Sequence, residues 1–169
     1  MKEHDSVGGV IECVVKGMMP GIGEPVFEKL DANLAKAVMS IGAVKGVEIG
    51  DGFASAESFG SSNNDAFCLD QDKHITKATN HAGGILGGIS DGSDVILRAA
   101  VKPTPSIAKT QQTVNRDKEP IAIEIGGRHD PIIVPRAVVV VEAMTAITVF
   151  DMMMESMSSN LDRIKRFFS

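Results

Sequence analysis

The chain contains no tryptophan and no tyrosine, and phenylalanine, with seven copies in 169 residues, is its only aromatic. Proteins that read single-stranded nucleic acid stack bases on aromatic side chains, so this composition argues against that role. A formal charge of −5 points the same way, because phosphate backbones are held by an excess of Lys and Arg. The two cysteines, Cys13 and Cys68, stand far apart and outside any C-x-x-C spacing. That excludes a disulfide framework and fits a reduced, cytoplasmic protein. The four histidines, His4, His74, His81 and His129, fall at no spacing that recommends a metal site, and no metal is expected. There is no Gly-x-Ser-x-Gly elbow for a serine nucleophile. MKEHDSVGG at the N-terminus lacks the apolar core of a signal peptide. The most apolar window, residues 137–154, carries Glu142 and Asp151 and reads as a buried helix rather than a membrane span. Neither a nucleic acid nor a membrane is an expected partner.

What the chain does have is glycine. Residues 82–92 read AGGILGGISDG, five glycines in eleven positions. Each glycine weakens an ordinary helix or strand by roughly 0.5–1 kcal/mol relative to alanine. Such a run is tolerated where the backbone turns at positive φ, or where something approaches closer than a Cβ permits. The spacing is G-G-x-x-G-G, which matches neither the P-loop nor the dinucleotide fingerprint.

Around this run the pattern alternates between strands and helices in one domain spanning residues 1–169. Residues 7–19 are β-branched and predict a strand. Pro25 predicts a helix start, followed by Phe27, Leu30, Leu34, Val38 and Ile41 at three- and four-residue steps. A short strand, residues 47–49, ends at Gly50-Asp51-Gly52. Residues 54–81 are irregular and rich in Ser, Asn and Asp, the composition of a functional loop. Residues 94–101 predict a strand, closed by the two prolines of KPTPS. Ile121, Ile123 and Ile125 alternate with Ala122 and Glu124 as a half-buried strand. The longest helix runs from Arg136 to about Met157, and its N-terminal half is nearly apolar all round, so it is expected to be buried on most sides or covered by a partner. Residues 158–169 form a terminal helix, with Leu161, Ile164, Phe167 and Phe168 on one face.

Two loops join glycine or proline to a cation: KPTPS with Lys102, and GGRHDP with Arg128. Bare backbone amides beside a guanidinium or ammonium are the material of an anion pocket. Solvated turns are the simpler reading of each loop taken alone. His129, between Arg128 and Asp130, reads as a proton shuttle tuned by its neighbours, although a run of this kind is more often a local ion-pair cluster.

Taken in order, DSVGG, GIGEPVFEKLDANLAKAVMSI, AVKGVEIGDGF, GSSN, NHAGGILGGISDG, KPTPSI, GGRHDP and PRAVVVVEAM resemble the chorismate synthase family, from about Asp5 to about Met153. The resemblance implies an α+β fold with helices sandwiched between antiparallel β-sheets, and a homotetramer. It implies a lyase of the shikimate pathway, serving aromatic amino acid biosynthesis. The reaction is the 1,4-anti elimination of phosphate from 5-enolpyruvylshikimate 3-phosphate to give chorismate. The cofactor is reduced FMN, and the resemblance also associates NADP with the family. By motif the flavin contacts fall on Ser62, Asn63, Gly87, Lys102, Pro103, Thr104, Pro105, Ser106 and Arg128. Asp130, with His129 beside it, matches the family position that assists proton movement.

The same resemblance matches this chain only to the C-terminal portion of the family, with Met1 reading as a start inside a continuous domain. The remaining portion supplies two catalytic histidines and the arginine-rich substrate clamps. A non-catalytic chain that binds FMN or forms the oligomer is therefore the alternative. An unrelated anion-binding module is a third reading.

Overall fold

The computed structural model describes residues 4–127 and 130–169, with residue 163 described by its backbone alone. In chain order the first elements are β1 (Gly9–Val15), α1 (Leu30–Met39), β2 (Val44–Ile49), a 3-10 turn (Gly52–Glu57) and the single turn α2 (Gly60–Asn63). Two small hairpins follow, β3 (Phe67–Leu69) with β4 (Ile75–Lys77), and β5 (Ile85–Leu86) with β6 (Ile89–Ser90). Then come β7 (Val95–Val101), the hairpin β8 (Gln111–Val114) with β9 (Pro120–Ile123), α3 (Val134–Ser158) and α4 (Leu161–Phe168).

The centre is a three-stranded antiparallel sheet in the order β1-β7-β2. Strict alternation along β7 sends Val95, Leu97, Ala99 and Val101 to one face, all buried. Ile11 and Val44 from the flanking strands join them, and Leu30, Leu34 and Val38 of α1 with Val141, Val149 and Met152 of α3 close the core. On the other face Arg98 lies between Glu12 and Glu48 in register. Helices on one face of an antiparallel sheet make this an α+β chain.

Three expectations change in detail. α1 starts at Leu30, not at Pro25: residues 24–28 make a bridge between Glu24 and Glu28, and Phe27 is exposed. The helix begins only where Leu30 N–H can donate to Gly88 C=O at 2.8 Å. Ile41 lies beyond its end. The stretch 54–81 is not structureless, for it holds the 3-10 turn, α2 and the β3–β4 hairpin. α3 buries a single stripe, Val141, Thr145, Val149, Met152 and Ser156, and leaves Val139, Ile147 and Phe150 exposed. By length and composition alone α3 is sufficient to cross a membrane, although Glu142 and Asp151 interrupt it. Its buried stripe packs on α1 and β1.

Candidate functional site

β7 ends where Pro103 removes the next ladder donor. The strip Lys102–Ser106 that follows is tied down on several sides. Lys102 N–H donates to Ala43 C=O at 2.9 Å, Ser6 Oγ donates to Thr104 C=O at 2.6 Å, and Gln111 Nε2 donates to Pro105 C=O at 3.1 Å. Ala43 holds φ at +72°, uncommon for a residue with a Cβ. The turn at Gly42 and Ala43 therefore belongs to the rim of the strip, although its sequence gave no signal beyond one glycine between helix and strand. Thr104 Oγ1 is buried without a hydrogen-bond partner. Among the described residues no carboxylate pairs with the exposed Lys102.

The residue after Ser6 draws in the second loop, since Val7 N–H donates to Pro131 C=O at 2.9 Å. Asp130, next to Pro131, accepts from Arg136 Nη1 at 2.6 Å through Oδ2. Arg136 stands in the first turn of α3, so the aspartate is anchored at the helix N-terminus, where a carboxylate is favoured. Arg128 and His129, the other candidates of this loop, lie outside the described residues.

Gly87 and Gly88 form the two-residue tip of the β5–β6 hairpin, at φ +60° and +87°, the geometry that a type I′ turn demands. A Cβ on Gly88 would strike the Lys29 side chain, whereas one on Gly87 would meet nothing within 4 Å. Gly87 thus offers bare backbone to open space, and Gly88 is fixed by packing.

Ser62 and Asn63 lie on α2, where Ser62 Oγ donates locally to Phe59 C=O and Asn63 Nδ2 is buried without a partner. Just beyond them sits a cluster that sequence reading missed. Lys77 Nζ, with only 3% of its side chain exposed, lies 2.6 Å from Asp91 Oδ2 and 3.5 Å from Asp65 Oδ2. Asp65 also accepts from Thr79 Oγ1, His81 N–H and Ala82 N–H at 2.7–3.0 Å. Burial pushes the Asp65 carboxyl up, but those hydrogen bonds and the Lys77 charge outweigh it and hold it below the usual carboxylate range. Asp91 is lowered for related reasons, with burial opposed by Lys77 and Ser93. The hub locks the Ser62–Asn63 loop onto the start of the glycine run. His81, without a partner by sequence spacing, places Nδ1 2.7 Å from Asp51 Oδ2.

The candidate residues around Gly87 and around Lys102 therefore stand toward opposite ends of α1. Gly88 C=O receives the first amide of α1, and Lys102 pairs beyond that helix's last turn. Ten helical residues separate these points, about 15 Å at the usual rise. A ligand touching both groups within one chain must be elongated, with different chemistry at each end.

Comparison with known proteins gives one consistent family. The model described as "Chorismate synthase" matches residues 1–154. A curated chorismate synthase of Lachnospira eligens is 62% identical over 168 residues, 99% of this chain and 46% of that protein. One from Archaeoglobus fulgidus is 62% identical over 153 residues, 90% of this chain and 42% of that protein. A crystal structure of chorismate synthase superposes with a TM-score of 0.75 at 32% identity, covering 99% of this chain and 43% of that one. The chain spans about half the length of the relatives it matches.

Proposed function

Because this chain belongs to the chorismate synthase family, we propose that it carries part of a site for the 1,4-anti elimination of phosphate from 5-enolpyruvylshikimate 3-phosphate, giving chorismate. Reduced FMN, when bound, supplies electron density to the substrate and recovers it. The residues present fit such a group. Thr104 Oγ1 is a buried oxygen still lacking a partner, Lys102 is a cation that no described carboxylate neutralises, and Gly87 presents bare backbone to open space. In this reading Lys102, Pro103, Thr104, Pro105 and Ser106 hold the cofactor, with Arg128, Ser62, Asn63 and Gly87 as its further contacts.

Asp130 is the proton-moving group. Its Oδ2 is held by Arg136 at 2.6 Å, which leaves Oδ1 as the oxygen that takes the proton. His129, its neighbour, shares that role. The single observation that carries the reading is the pair of bonds from Ser6 and Val7, which bring the Thr104 strip and the Asp130 loop to one place. Charge developing on a departing phosphate needs fixed cations close by, and both loops carry one in sequence.

The test supplies, as a second polypeptide, the rest of the relatives' length. FMN-dependent phosphate release under anaerobic, reducing conditions is the expected outcome. A chain that binds FMN yet never supports release with any complement would leave only the non-catalytic reading.

A further inference from the structure

We propose that Asp65 is a positioning residue for Ser62 and Asn63, a role that rests on their reading as flavin contacts. Its buried carboxylate, rather than apolar packing, fixes their loop against the glycine run. Ser62 and Asn63 belong to α2, a single helical turn in which no residue is buried. The β3–β4 hairpin that follows has three residue pairs, and its side chains are mostly exposed. A lone turn and a two-stranded hairpin do not hold themselves in place in water. From residue 51 to residue 82, Asp65 is the only buried residue. Within this chain the segment therefore has a polar anchor and no apolar one.

That anchor is built from four donors. Asp65 Oδ1 accepts from Thr79 Oγ1 at 2.7 Å and from His81 N–H at 2.8 Å. Oδ2 accepts from Ala82 N–H at 3.0 Å and from Lys77 Nζ at 3.5 Å. All four come from residues 77–82, which lead straight into Gly83. Lys77 Nζ reaches on to Asp91 Oδ2 at 2.6 Å. Asp91 N–H in turn donates to Gly84 C=O at 3.0 Å, at the base of the hairpin whose tip is Gly87 and Gly88. One carboxylate thus ties the Asn63 loop to the start of the glycine run, and its counter-ion extends the tie to the Gly87 hairpin.

A buried ion pair adds little net stability compared with apolar groups of the same volume, because desolvation offsets the attraction. What it does impose is one geometry, since each donor must meet its oxygen. Asp65 stands two residues from Asn63, whose Nδ2 is a buried donor without a partner. A donor held still before its acceptor arrives loses less freedom on binding, so the anchor acts through preorganisation of that contact.

Asp65→Asn tests this in the chain completed with the rest of the relatives' length. Asparagine keeps an acceptor for Thr79 and His81 but turns an amide toward Ala82 N–H. Lys77 retains Asp91, so no buried charge loses its last partner. FMN affinity should fall by about tenfold, the scale of one hydrogen bond to a charged group. At saturating FMN, kcat should stay close to the parent's, because Asp130 and the Lys102–Ser106 strip are held by other contacts. Amide exchange at Ser62, Asn63 and Asn64 should quicken while that of β7 keeps the parent's rate. Thr79→Val, at an exposed position outside the loop, removes one donor and should weaken FMN binding by a smaller factor. It carries the test if Asp65→Asn does not fold. A role in stability alone would lower the melting temperature and leave FMN affinity and those three amides unmoved. That result, or kcat lost at saturating FMN, would overturn the proposal. A parent that binds no FMN would overturn the flavin reading itself, and with it the role of Asp65.

Discussion

Gly50 and Gly83 meet backbone to backbone: a Cβ on Gly83 would come within 2.5 Å of Gly50 Cα, and one on Gly50 would come equally close to Gly83 N. Both hold positive φ, at +58° and +64°. The end of β2 is thereby pressed onto the glycine run with no side chain between. Gly83→Ala combines left-handed strain with overpacking and should cost about 2–5 kcal/mol. Gly87→Ala meets open space and should cost only about 1–2 kcal/mol, the backbone strain alone. Chemical denaturation of the two variants checks the difference, and equal losses would refute the distinction between packing and exposed glycines.

Lys77 is the one cation among two buried carboxylates and is itself almost wholly enclosed. Lys77→Met keeps the length of the side chain but leaves Asp65 and Asp91 facing each other unpaired. Breaking a buried pair from one side typically costs about 3–5 kcal/mol. The loss should appear as a lower unfolding midpoint, together with faster amide exchange at His81 and Ala82, whose N–H groups rest on Asp65. Exchange at those two amides unchanged from the parent chain would count against the hub.

The same hub gives the chain an acid limb. Asp65 and Asp91 titrate lower in the folded chain than an ordinary carboxyl does. Their contribution is complete above the unfolded value, near pH 3.9, and is lost as pH falls through the folded values. Stability should therefore be flat in this respect near neutrality and fall below about pH 4. Asp91→Asn should flatten that limb, as read from melting temperature against pH.

Much of this arrangement was legible in the sequence, for physical reasons that differ by element. The alternation of Val95, Leu97, Ala99 and Val101 announced β7, because a strand buried on one face must repeat every two residues. The prolines of KPTPS announced the end of that strand for want of amide donors. The start of α1 was misplaced because Pro25 is a permissive first-turn residue, and only Gly88 C=O, far away in sequence, decides where Leu30 begins the helix. The lysine hub and the His81–Asp51 contact were invisible for the same reason. Their partners lie 12 to 30 residues apart and join one short strand to loops, and no periodicity records such a distance. α3 read correctly as a long apolar helix, yet hydrophobicity could not tell its buried stripe from its exposed faces.

Thr104 offers a prediction with two signs. Its buried Oγ1 has no partner, and an unpartnered buried polar group costs about 1–3 kcal/mol. Thr104→Val removes that cost, so the ligand-free chain should be unchanged or somewhat more stable. If the hydroxyl is completed by FMN, the same substitution should weaken FMN binding by about tenfold, in keeping with a hydrogen bond to a charged group. Lys102→Met should weaken it as well, with a shallower salt dependence. Calorimetric titration with FMN beside thermal unfolding reads both quantities. A stabilised variant with undiminished FMN affinity would show that the oxygen serves something else.

Asp130 carries the most direct test of the chemistry. Asn at this position keeps the shape and one acceptor oxygen for Arg136 Nη1, now 2.6 Å from Oδ2, but it cannot take a proton at pH 7. In the assay completed with the rest of the relatives' length, Asp130→Asn should lower turnover by about 10²–10⁴-fold, the usual contribution of a positioned acid or base. FMN affinity should stay close to that of the parent, because the strip is held by Ala43, Ser6 and Gln111 rather than by Asp130. Loss of binding together with turnover would instead make Asp130 a brace for the loop, and full turnover in Asp130→Asn would remove it from the reaction.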